Sequence, residues 1–60
     1  MKTTKASVTK ALMSEFRYGK ENAQNLIEKH IDVFEVNQED LSPIELANQL
    51  EEAEMQSHDE

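Results

Sequence analysis

The stretch HIDVFEVN, residues 30–37, decides how many elements the chain contains, because two rules read it differently. Ala23, Leu26, Ile27, His30, Ile31 and Phe34 recur at i, i+3, i+4, i+7, i+8 and i+11, so one helical stripe runs straight into it. Ile31, Val33 and Val36, however, are β-branched, and a branched Cβ loses χ1 freedom against the preceding helical turn. The period predicts one helix over about residues 20–35, unwinding between Glu35 and Asp40. A short extended stretch over the same residues is the competing reading.

Working outward, the segment before it contains EFRYGKENAQ, residues 15–24, with the only glycine of the chain at Gly19. Upstream of that glycine, Val8, Ala11, Leu12 and Phe16 fall at helical spacings and predict a helix over about residues 4–17. It is capped at Ser7 or, further out, at Thr3 or Thr4. Gly19 then reads as the C-terminal stop or corner between two helices, where positive φ costs little only for glycine.

On the other side lies LSPIELANQLEEAEM, residues 41–55, with three independent start signals. Ser42 and Glu45 fit a capping box, Pro43 occupies the first helical position, and Leu41 with Leu46 fits a hydrophobic staple. Leu46, Ala47, Leu50 and Ala53, helped by Ile44, supply the buried stripe of a helix over about residues 43–55. The expected fold is therefore all-α, a compact three-helix unit with helices at about 4–17, 20–35 and 43–55. Residues 1–60 form one domain, with residues 1–3 and 56–60 frayed or disordered. Its core draws on Val8, Leu12, Phe16, Leu26, Ile27, Ile31, Phe34, Ile44, Leu46 and Leu50, with Tyr18 at the edge.

The aromatic-glycine turn FRYG at residues 16–19, the AQNLI run at 23–27 and the helix that follows resemble ubiquitin-associated three-helix domains across residues 8–54. The resemblance implies the three-helix architecture and no binding residues. In those domains the turn usually carries Met-Gly-Phe, where this chain has Tyr18 then Gly19, and here the connector to the last helix is long and charged.

Composition narrows the function classes. With 60 residues the chain forms at most one domain, and chains of this size bury only about 60% of their unfolded surface. There is no cysteine, which excludes disulfides and thiolate metal sites and points to a reducing compartment. MKTTKASVTK has lysines but no apolar run behind them, so it does not read as a signal peptide, and no stretch approaches the roughly 18 apolar residues of a membrane span. A soluble, cytoplasmic protein is expected, and its size and composition fit the short reading frames of bacterial genomes and their mobile elements.

Charge is segregated along the chain. Residues 1–20 carry five cations against Glu15, a net of +4, while residues 21–60 carry Lys29 against twelve carboxylates, a net of −11, making −7 in all. Such a distribution bears on partners and solubility rather than on fold.

No nucleophile elbow or carboxylate pair in a cleft is legible, so the chain is expected not to be an enzyme and to carry no cofactor. His30, flanked by Glu28 and Asp32, reads as a boundary residue with one ring nitrogen bonded, in preference to a metal ligand. His58, one turn beyond Glu54, reads as a solvated tail residue. The leading expectation is a small acidic protein-binding or regulatory module whose partner presents a basic surface. An alternative is a weak nucleic-acid or anion contact through Lys5, Lys10, Arg17 and Lys20 of the basic segment, disfavoured because the later helices repel phosphates. A second alternative is a homo-oligomeric subunit that dimerises through Val33, Phe34, Val36 and Met55.

Overall fold

The computed structural model describes residues 2–57 and contains four helices: α1 Lys5–Glu15, α2 Lys20–Lys29, α3 Ile31–Asn37 and α4 Pro43–Ser57. The all-α class is as expected, and the count of three helices is corrected to four. The difference lies at His30, whose backbone at φ −116° and ψ 44° leaves the helical region and separates α2 from α3. Its N–H still donates to the Leu26 carbonyl at 3.1 Å and its own carbonyl accepts from Phe34 N–H at 3.1 Å, so the kink costs little hydrogen bonding. Phe34 reaches the core as the period demands, but from a separate seven-residue helix. The three β-branched residues of HIDVFEVN are therefore helical, because burial of Phe34 and partial burial of Ile31 and Val33 outweigh a modest loss of propensity. Asn37 ends α3 by turning its side-chain amide back onto the Val33 carbonyl at 2.9 Å.

The corner between α1 and α2 also differs from expectation. Gly19 has φ −74°, and the left-handed residue is Arg17 at φ 61°. Arg17 follows the C-cap Phe16, where a left-handed residue commonly closes a helix, and the amides of Phe16 and Tyr18 both return to the Leu12 carbonyl at 3.0 Å. This placement lets Phe16 and Tyr18 pack against the core from either side of the bend. Gly19 instead occupies the N-cap of α2, and a β-carbon there would meet only the Asn22 side chain at 3.9 Å.

Helix α1 starts at the outer candidate: Thr4 is the N-cap, its Oγ1 accepting from Ser7 N–H at 3.2 Å. The residue before it is not frayed. Thr3 is 7% exposed, its N–H donates to the Gln38 carbonyl at 2.8 Å and its hydroxyl to the Leu41 carbonyl at 2.7 Å. Those two bonds tie Thr3 to the α3–α4 loop, so at this residue the expectation of a frayed or disordered segment does not hold. At the other end α4 continues through Ser57, two residues past the expected stop. Residues 1 and 58–60 lie outside the described residues, and with them the expectations about His58 and the last tail residues.

The start of α4 follows its sequence signals. Glu45 N–H and Ser42 Oγ, and Ser42 N–H and Glu45 Oε1, face each other at 3.4 Å as a long capping box, and Leu41 packs against the core containing Leu46. Val8, Leu12, Ala23, Leu46, Ala47 and Leu50 are fully enclosed, and Leu26, Ile27, Phe34 and Ala11 complete the core. Ile44 does not join it. At 50% exposure it lines a surface depression between the first turn of α4 and the α1 residues Ser7, Lys10, Ala11 and Ser14. Helix α4 packs against each of the other three helices, whereas α1 and α3 have no direct packing.

Candidate functional site

Two helix faces meet without closing. From α1 come Lys5, Ala6, Thr9, Lys10 and Met13, and from α2 come Lys20, Gln24, Ile27 and Glu28; together they line a groove of about 530 Å³. Both sets are helical stripes, at i, i+1, i+4, i+5, i+8 on α1 and i, i+4, i+7, i+8 on α2, so the groove follows from the helical period itself. Its floor is apolar, made of the Ile27 side chain and of Met13, which is 44% exposed. Lys5, Lys10 and Lys20 stand on its rim with Glu28, and among the described residues none of the three lysines forms an ion pair.

Three of the four cations expected to contact an anion are thus brought to one groove, and Arg17 is not among them. It is exposed in the left-handed turn. The apolar half of the groove was not read from the sequence as a site. The signal was available in the phase of Met13 with Lys5 and Thr9, which places a large flexible apolar residue on the lysine face.

The four residues expected at a dimer interface are not gathered. Phe34 is 3% exposed and belongs to the core, which corrects its placement at a free surface, and Val33 is half-buried against that core. Val36 and Met55 are exposed by 74% and 64%. Glu54, next to Met55 on α4, bonds His30 just before α3, whereas Val36 lies about 7.5 Å of helical rise beyond the first residue of α3. Around Val36 stand Asp32, Glu35 and Glu39, all exposed, at i−4, i−1 and i+3. No ion pair forms at these three carboxylates among the described residues.

A second polar cluster lies where α2 ends against α4. Glu54 accepts from Lys29 Nζ at 3.1–3.2 Å and lies 3.0 Å from His30 Nε2. Tyr18 sits at the same end, beside a shallow depression of about 300 Å³. Partial burial, and after it the nearby carboxylates of Glu51 and Glu54, push its hydroxyl above the usual value of about 10. The carboxylate is engaged by two partners, which makes this cluster a tie between helices rather than a reactive group. His30 is bonded as expected, to Glu54 and not to its sequence neighbours Glu28 or Asp32.

Among the described residues no group of three or more His, Cys, Asp and Glu side chains is placed to hold a metal ion, and no helix is long and apolar enough to cross a membrane. Comparison with known protein families, with characterised proteins and with solved structures finds no match for this chain.

Proposed function

We propose that this chain is a small non-enzymatic protein-binding module whose α1–α2 groove receives an amphipathic helix bearing carboxylates. The observation that carries the reading is the groove itself, an apolar floor of Met13 and Ile27 edged by three lysines that have no ion-pair partner among the described residues. A helix laid in a groove supplies apolar side chains at i, i+3, i+4 and i+7, and carboxylates flanking that stripe would meet the lysines. Complementary charge adds association rate and selectivity more than affinity. The cysteine-free sequence suits a reducing, cytoplasmic setting.

A nucleic-acid partner fits the same lysines less well. Met13 and Ile27 give a phosphate nothing to bond, the Glu28 carboxylate in the groove lining repels it, and so does the net charge of −7. A partner with a basic surface would instead use the acidic face of α3 around Val36.

The test is a titration of isotope-labelled protein with a synthetic acidic amphipathic helix, a basic counterpart and a short DNA duplex. The acidic helix is expected to shift the signals of Met13, Gln24 and Ile27, and Met13→Glu to abolish that response. Equal shifts from the DNA, or none from the acidic helix, would overturn the assignment.

A further inference from the structure

The groove has a match on the chain's own surface. The outer side of α3 presents Val36, 74% exposed, with Asp32 and Glu35 exposed on the same helix and Glu39 exposed in the turn that follows it, beside Lys2 and Thr3. It is an apolar side chain framed by three carboxylates, and the groove is an apolar floor framed by three ammonium groups, Lys5, Lys10 and Lys20. Neither set is compensated by an ion pair among the described residues. We propose that the occupant of the α1–α2 groove is a second copy of this chain, which inserts the α3 face with Val36 over Met13 and Ile27. The proposal rests on the groove being a docking site, as argued above, and names what docks there.

The symmetry of such an association follows from the residues. Groove and face share no residue, so each copy offers both at once. Two copies can therefore exchange both contacts about a two-fold axis, and a copy that uses only one of them leaves the other open to a further neighbour. A contact confined to one short helix face and one groove is small, which places it among weak and transient associations.

Charge also sets an unusual salt dependence. Each copy carries −7, so whole molecules repel at long range, while the contacting faces attract at short range. At about 0.01 M salt the Debye length of roughly 30 Å exceeds the 22 Å middle dimension of the molecule, and the repulsion is felt in full. At about 0.15 M it is roughly 8 Å, so the repulsion between whole molecules is screened while a lysine–carboxylate contact survives. At about 1 M, with a length of roughly 3 Å, the contact weakens as well. Association is therefore strongest at intermediate salt.

Sedimentation of the wild-type chain across a concentration series at those three salt levels reads the effect directly. The average mass is expected to rise with concentration and to be largest near 0.15 M salt. Two charge-reversed variants then separate the faces. The groove variant Lys5→Glu/Lys10→Glu/Lys20→Glu and the face variant Asp32→Lys/Glu35→Lys/Glu39→Lys are each expected to be monomeric, with helical circular dichroism unchanged because every altered side chain is exposed. Mixed together they are expected to form a one-to-one complex, since one supplies an intact face and the other an intact groove. With one partner isotope-labelled at a time, shifts should fall on Met13, Gln24 and Ile27 of the face variant and on Val36 of the groove variant.

A wild-type chain that stays monomeric at millimolar concentration in all three salts overturns the proposal, as does a mixture that does not associate or a footprint centred on Met55. If the monomeric chain still binds the acidic helical peptide at Met13 and Ile27, the groove reading survives and only the second copy is removed as occupant. If neither binds, both fall.

Discussion

The imidazole Nε2 of His30 lies 3.0 Å from Oε1 of Glu54, tying the residue that separates α2 from α3 to the helix that packs on both. Lys29 Nζ meets the same Oε1 at 3.1 Å and Oε2 at 3.2 Å, with its own side chain 55% exposed. The tie fixes the angle at which α3 leaves α2, because it acts at the one non-helical residue between them. Replacing Glu54 by Gln keeps the shape and removes the charge. Half-exposed pairs of this kind contribute about 1 kcal/mol or less, so the variant is expected to melt up to about 5 °C lower, given the steep dependence of Tm on stability in small domains. Thermal unfolding by circular dichroism checks this, and an unchanged Tm would remove the tie from the list of stabilising contacts.

The α1–α2 corner makes opposite demands at two neighbouring positions. Arg17 holds φ 61°, a region costly for side chains with a β-carbon, so Arg17→Gly is expected to raise stability by about 1 kcal/mol. Gly19 is an N-cap without a side-chain acceptor, so Gly19→Ser should add a few tenths of a kcal/mol and Gly19→Ala should change little. Urea titrations of the three variants decide the matter, and a large loss in Gly19→Ala would contradict the extended backbone at Gly19.

The chain start is held by Thr3. Thr3→Val preserves the volume but leaves the Leu41 carbonyl without its hydroxyl donor, a loss of about 1–2 kcal/mol at a site this enclosed. Hydrogen exchange should speed up in the α3–α4 loop at the same time. Exchange confined to residues 2–4 would mean that the strap carries no tension into that loop.

Tyr18 supplies the pH dependence. Its hydroxyl holds its proton more tightly in the folded chain than in the unfolded one, so the folded state binds more protons above pH 10. The stabilisation is complete below that pH and is lost as pH climbs through the raised value. Tyr18→Phe is expected to flatten the alkaline fall in stability relative to the wild type, measured by urea midpoints from pH 8 to 11.5; parallel curves would show that Tyr18 has no part in it.

How far the fold was legible depended on whether the determining interactions are local. The α4 start could be read because Ser42, Pro43, Glu45 and Leu46 act within one turn of one another. The His30 kink could not, because no glycine or proline marks it and its partner, Glu54, is 24 residues away. Gly19 misled for a related reason. Glycine tolerates a left-handed backbone without requiring one, and here the packing of Phe16 and Tyr18 moved that conformation to Arg17. At the candidate site the lysines were visible as a charge cluster, whereas the apolar floor required knowing that α1 and α2 lie side by side.

Helices α2 and α4 each pack against the other three, and α4 follows them all in the sequence. Leu46, Ala47 and Leu50 are fully enclosed, so before they emerge α1 and α3 each have only α2 to pack against. A growing chain therefore holds the apolar stripes of α1–α3 partly open to the surroundings until α4 has been made. A premature stop anywhere before residue 50 would release a peptide without the layer that covers α1 and α3, so this helical unit closes only after α4 has been translated.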